Sequence, residues 1–275
     1  MVKDYDKLTS EEQKKLLREI DKEYSMATKE ITAKVNKIME DDRKSQKEKL
    51  VAVAGILTAL WVGVGVKVLS TSESIIANTW IFYEYVSKKL GNPLILPMKE
   101  ISDMVGKTVK KRKDVIKWNK VIKGNSKRLD RQVARIVKKG LANSKTDRQI
   151  QSELEKVMKM NRGKAKAIAR TETNYYKSEA KLQMGIRQEK AGNPIIKTWV
   201  YTHLSKEPRP AHMAADGDVV EGVNGLFSIG GFQTTGPHHF GVASQDINCM
   251  CDMRVEFAKD ADTTLEEYQA YKEMK

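Results

Sequence analysis

The chain has 275 residues and 31.2 kDa, with 50 Lys and Arg against 36 Asp and Glu, a formal charge of +14 and a sequence pI near 9.5. That length admits one large or two ordinary domains with real cores, and the charge favours a polyanion or an acidic protein as partner. Two cysteines one residue apart exclude a disulfide framework, and Met1-Val2-Lys3-Asp4-Tyr5-Asp6 lacks the apolar stretch of a signal peptide, so synthesis and use from the cytoplasm are expected.

Thr9 and Ser10 followed by Glu11, Glu12 and Gln13 read as a helix start. Leu17, Ile20, Tyr24, Ala27 and Ile31, continued by Val35, Ile38 and Met39, carry one apolar stripe to about residue 41. Val51 to Val66 holds no charge. As a helix it is roughly 24 Å long against the roughly 30 Å of a bilayer core, which predicts a helix buried on all sides and no stable membrane association. Ser72 can cap the next helix, with Ile75, Ile76, Thr79, Phe82, Tyr83, Val86 and Leu90 on its face, and Asn92 to Pro97 reads as a linker.

Between Lys107 and Lys139 bases crowd together: Lys107, Lys110, Lys111, Arg112, Lys113, Lys117, Lys120, Lys123, Lys127, Arg128, Arg131, Arg135, Lys138 and Lys139, against only Asp114 and Asp130. Apolar stripes at Val109, Ile116, Val121 and Ile122, then at Leu129, Val133, Ile136 and Val137, place these bases on the outer faces of two helices broken at Gly124-Asn125-Ser126. So one-sided a run exceeds salt-bridge lacing and suits DNA phosphates or an acidic protein surface; without interleaved aromatics, any DNA contact is to the backbone and salt-dependent. A helix from Ser144-Lys145-Thr146-Asp147 is expected to close at Asn161-Arg162-Gly163. A longer one follows from Lys164 to Lys190, ended by Gly192-Asn193-Pro194.

Trp199 to Val255 then gathers all four histidines, both cysteines and three of the six prolines. Within the preceding helix stands Arg170-Thr171-Glu172, and after it come Trp199, Arg209-x-x-His212, Gly217, Phe227, Pro237 and Asn248-Cys249-x-Cys251. This order resembles the Mu F-like phage head-morphogenesis family, the minor capsid proteins, over about residues 125–256. The chain departs from that pattern in lacking an aspartate from Tyr201 to Pro208, and in placing Met250 where a base often stands. The resemblance implies a minor head protein in the virion, at the portal vertex or capsid interior, with portal and capsid or scaffold proteins as partners and double-stranded DNA as a further one. It implies no catalytic residues. The rival classes are a non-specific DNA-binding module and a metal-dependent nuclease.

Alternation puts Ile195, Lys197, Trp199 and Tyr201 on one face of a strand, and Ile247 to Phe257 reads as a closing strand. Val219-Val220 and Val223, between Gly217-Asp218 and Asn224-Gly225, suggest a short hairpin. Arg170 and Glu172 are expected to pair with the Arg209–His212 loop, Glu172 with His212. No cofactor is implied; zinc is the one metal whose donors are present, at His212, His239 (or His238), Cys249 and Cys251. In a strand, however, the two cysteines lie roughly 7 Å apart, too far for two bonds of about 2.3 Å to one ion unless the chain turns. A nuclease reading of His238-His239 and Asn248 fails on Asp246 and Asp252, which have no evident partner. The expected fold is α+β and helix-dominated: an N-terminal helical region (1–97) with the buried apolar helix 51–66, a basic helical region (98–192), a small antiparallel β-sheet domain with long loops (193–257) packed on helix 164–191, and a C-terminal helix (258–275) around Thr264, Tyr268 and Tyr271.

Overall fold

The computed structural model describes residues 2–40, 45–89, 91, 94–143, 147–203, 207–257, 270 and 273–274. Five long helices come first: α1 (Val2–Glu40), α2 (Gln46–Lys89), α3 (Met98–Val115), α4 (Trp118–Ala142) and α5 (Asp147–Lys190). Then follow β1 (Ile195–Val200), α6 (Pro210–Ala214), β2 (Val219–Glu221), β3 (Phe227–Ile229), β4 (Phe232–Thr234), α7 (Ala243–Asp246) and β5 (Asp252–Phe257). The class is α+β and helix-dominated. The start at Ser144–Thr146, Asn92 and Pro93 of the linker, and the helix around Thr264–Tyr271 lie outside the described residues.

Local punctuation is overruled at several expected breaks. α4 runs through Gly124-Asn125-Ser126 because Asn125 Nδ2 donates to the Val121 carbonyl at 2.9 Å, while Ser126 Oγ meets Thr58 Oγ1 at 3.0 Å. α5 runs through Asn161-Arg162-Gly163 in the same way: Asn161 Nδ2 donates to the Val157 carbonyl at 2.9 Å and to Gln132 Oε1 at 3.2 Å. Asparagine bonded back to the carbonyl four residues earlier stays inside a helix instead of ending it. Ser72 is buried within α2 and caps nothing, and α1 begins at Val2, ahead of the expected cap. The break between α3 and α4 falls instead at Lys117, whose φ is +52°.

The chain divides into two compact units, one of Met1–Lys14, Ser70–Lys110 and Ala167–Lys275, the other of Lys15–Leu69 and Lys111–Lys166. The second is helical. Its core takes Leu16, Ile20, Tyr24, Ala27 and Ile31 from α1, with Leu16 buried in place of Leu17. Val53, Leu57, Trp61, Val64 and Val68 come from α2, Trp118, Leu129, Val133 and Val137 from α4, and Ile150, Leu154 and Met158 from α5. Tyr24 and Trp61 meet edge to face at 6.4 Å, and Lys166 pairs with Asp21 at 2.7 Å. The apolar run 51–66 is not buried on all sides: Val51, Val62 and Val66 are at least half exposed. It is one stretch of α2, of which Val53–Lys89 is long and apolar enough, by length and composition, to cross a membrane.

The first unit holds both sheets. β1 is central in the order β2-β1-β5, antiparallel to both neighbours, with Lys197 opposite Val220 on one side and Val255 on the other. The expected hairpin around Val219–Val223 is absent as such: β2 pairs with β1, and the hairpin is β3–β4, turned at Gly230-Gly231 with φ of +58° and +81°. Positive φ at both central residues is what a type I′ hairpin turn requires. Tyr83 Oη donates to the Val255 carbonyl at 2.9 Å and Gln188 Nε2 to the Tyr83 carbonyl at 3.3 Å, tying α2, α5 and the sheet together. Gly185 of α5 lets β1 close in, since a Cβ there would lie 2.6 Å from Ile195 Cδ1.

Candidate functional site

Trp199 closes the alternating buried face of β1, and the chain returns to it through a turn at Gly217, whose φ is +87°. Gly217 N donates to the Trp199 carbonyl at 3.0 Å and Trp199 N to the Asp218 carbonyl at 2.8 Å. Between them, Pro210 opens the one-turn helix α6 and carries His212 into the interior. Its ring lies edge-on to Trp199 at 5.7 Å and stacks on Phe240 at 5.3 Å. The closing strand is shorter than the alternation suggested, because Asn248 is left-handed (φ +58°) and pairing begins only at Asp252. Cys249 and Cys251 therefore sit in a bend, and both thiols reach the same atom: His212 Nδ1 is 3.5 Å from Cys249 Sγ and 3.6 Å from Cys251 Sγ. His212 Nε2 donates to Gln245 Oε1 at 2.8 Å.

The motif residues around this cluster hold the bend. Arg209 Nη2 donates to the Ile247 carbonyl at 2.8 Å, Thr171 Oγ1 accepts from Asn248 N at 3.1 Å, and Arg170 Nη2 approaches Asn248 Oδ1 at 3.5 Å. The helix signature thus grips the Asn-Cys-x-Cys bend. The expected pair of Glu172 with His212 is not made, since both ring nitrogens of His212 are engaged by Gln245 and the two sulfurs; Glu172 itself is buried. Burial lowers the Arg170 guanidinium from its ordinary value. It works against a charged His212 too, but hydrogen bonds to Cys249 and Gln245 outweigh it and raise the imidazole. The Cys251 hydrogen bond brings Cys249 down to about 4 against its burial, helped by His212, while the same bond and burial push Cys251 up.

His239, expected as a fourth metal donor, is held elsewhere. Its Nε2 meets Glu179 Oε2 at 2.8 Å, its Nδ1 meets the Pro237 carbonyl at 2.9 Å, and its ring stacks on Tyr175. His238 is the inward one of the pair: it is buried, has φ +66°, and neither ring nitrogen has a hydrogen-bond partner among the described residues. Burial lowers it, and the nearby Cys249 works in the opposite sense.

Sequence reasoning missed a set of buried charges. Asp252 does have partners: Lys177 Nζ at 2.5 Å and Lys181 Nζ at 3.2 Å, with Lys181 also donating to the Met253 carbonyl at 2.6 Å. Burial alone would raise Asp252, but Lys177 and Lys181 hold it well below the ordinary carboxylate range. Asp246 Oδ1 accepts from Phe240 N at 3.2 Å. Lys197, fully buried in β1, donates to the carbonyls of Val223, Gly225 and Thr235 at 2.7, 2.7 and 2.8 Å and lies over the Phe227 ring. The available signal was its place between Ile195 and Trp199 on the buried face. Desolvation lowers its pKa to about 8, partly opposed by Glu189.

The basic run keeps its expected orientation. Lys107, Lys110, Lys111, Lys117, Lys120, Lys123, Lys127, Arg128, Arg131, Arg135, Lys138 and Lys139 are exposed, and Arg112 and Lys113 half-buried.

Comparison with known proteins finds a family model described as Phage Mu protein F like protein, which matches residues 131–254. A curated relative, NAD(+)--arginine ADP-ribosyltransferase EFV of Enterococcus faecalis (strain ATCC 700802 / V583), is 41% identical over 85 residues, 30% of this chain but only 17% of that protein. No solved structure matches the chain. From α4 to β5, residues 131–254 thus match the Mu F-like phage protein family, as the motif order suggested.

Proposed function

We propose that the protein is a non-enzymatic minor head protein, built into the virion during head assembly by binding the portal or the procapsid interior, with the bases of Lys107–Lys139 as its contact to an acidic portal surface or packaged DNA. The observation that carries this reading is the Mu F-like match on a chain whose α4 presents exposed bases opposite a buried apolar stripe. Such a face is free to meet phosphates or carboxylates without disturbing the core. A metal-dependent nuclease is disfavoured by Asp252 on its two lysines and His239 on Glu179, which leave these groups committed to the fold. The activity named for the Enterococcus faecalis relative belongs to that protein, of which the match covers 17%.

The test is a pull-down with the portal protein of the same phage, run beside double-stranded DNA binding at 50 and 200 mM salt. Portal capture supports head assembly. DNA binding through about 6–10 phosphate contacts would weaken about 10³–10⁵-fold between those salt concentrations. Absence of both interactions in the folded chain would sink the reading.

A further inference from the structure

We propose that His212 Nδ1, Cys249 Sγ and Cys251 Sγ bind a structural zinc ion, with His238 as the fourth donor. The three named atoms lie within 4.8 Å of one another and all three residues are buried. Around tetrahedral zinc, with bonds of about 2.3 Å to sulfur and about 2.0–2.1 Å to nitrogen, a sulfur and a nitrogen donor stand about 3.6 Å apart. The observed separations from His212 Nδ1 are 3.5 and 3.6 Å.

Hydrogen bonding alone explains this geometry poorly. A neutral imidazole nitrogen offers one lone pair, which suits one thiol and not two at equal distance. The tautomer is set by the other side of the ring: Nε2–H donates to Gln245 Oε1 and leaves Nδ1 bare, the orienting contact a metal-bound histidine uses. Trp199 and Phe240 enclose the ring in apolar surface. The charges also balance. Two thiols release their protons to solvent, and two thiolates with a divalent cation and two neutral imidazoles make a net neutral site, the kind an apolar interior tolerates. Two sulfurs and two nitrogens in a tetrahedron select zinc over harder cations. His238 lies outside that three-atom cluster, and we assign it the fourth position because it is buried with both ring nitrogens unbonded among the described residues.

The ion would clip α6, the loop around His238 and the bend before β5, a part of the fold with short elements and long loops. Zinc at this place is independent of head assembly and portal binding. Its test uses the full chain, produced in zinc-supplemented medium and purified without chelator. Elemental analysis should find about one zinc per chain, and cobalt in the metal-stripped protein should give a thiolate-to-cobalt charge-transfer band with strong tetrahedral absorption. His238→Ala should keep the band and lose at least about tenfold in affinity. A folded wild-type chain with neither stoichiometric zinc nor a cobalt–thiolate band overturns the site, and unchanged affinity in His238→Ala overturns the fourth ligand. The wild-type measurements decide the first question even if a variant fails to fold.

Discussion

Helix α4 and the sheet around β1 use charge in opposite ways. In α4, Leu129, Val133 and Val137 face inward while Lys127, Arg131, Arg135 and Lys138 face solvent. In the sheet region, Lys197, Lys181 and Lys177 are themselves buried, bonded to backbone carbonyls or to Asp252. The exposed bases are left available to a partner. The buried ones are committed to the fold, so the same residue type faces solvent in one place and holds the architecture in the other.

The comparison is broken most severely at Asp252. Asp252→Ala leaves Lys177 and Lys181 buried without their shared carboxylate, and removing one member of a buried pair costs about 3–5 kcal/mol. Urea denaturation should show that loss; a variant as stable as the parent would mean that these charges are solvated after all. The pH dependence has a definite sign. Because the folded carboxyl is held below its ordinary 3.8, the contribution is fully present above that pH and fades as acid protonates the group.

Lys197→Met comes next. It removes a desolvated ammonium but abandons the carbonyls of Val223, Gly225 and Thr235, and the unsatisfied acceptors should outweigh the relief, for a net loss of about 2–4 kcal/mol. In the parent chain the folded pKa of about 8 lies below the ordinary 10.5, so between these values the unfolded chain holds the extra proton and stability rises with pH. Denaturant midpoints for parent and variant across that window check both statements, since the rise should vanish in Lys197→Met.

This contrast also sets what could be read without coordinates. The α4 stripe repeats with helical period, so its buried and exposed faces were legible; β1 alternates, so its buried face was legible too, Lys197 included. Asn125 and Asn161 misled because a residue that often ends helices instead bonds back to the carbonyl four residues earlier, a choice made by its surroundings. His212, Cys249 and Cys251 were named together from the sequence, but their convergence was left open for a related reason. Strand spacing holds the thiols apart, and only the left-handed Asn248, gripped by Thr171 and Arg170, bends the chain so that both meet His212. Partners of buried charges such as Asp252 lie 71 and 75 residues away in sequence, beyond any local pattern.

The smallest expected effect on stability separates the two uses of charge most cleanly. Changing Lys127, Arg131, Arg135 and Lys138 to glutamine together removes four exposed charges and no buried side chain, so each substitution should lie within about 0.5 kcal/mol of neutral. A thermal melt near that of the parent is therefore expected. Binding should respond differently. If these bases meet DNA phosphates, the quadruple variant binds more weakly and its salt dependence is shallower, by about 0.9 in the log–log slope for each phosphate no longer neutralised. If they meet an acidic portal surface, portal capture falls while the melt stays in place. A variant that melts like the parent and binds both partners as well as the parent would return the α4 bases to a purely solvated face, and recognition would have to be sought among the committed charges of the sheet.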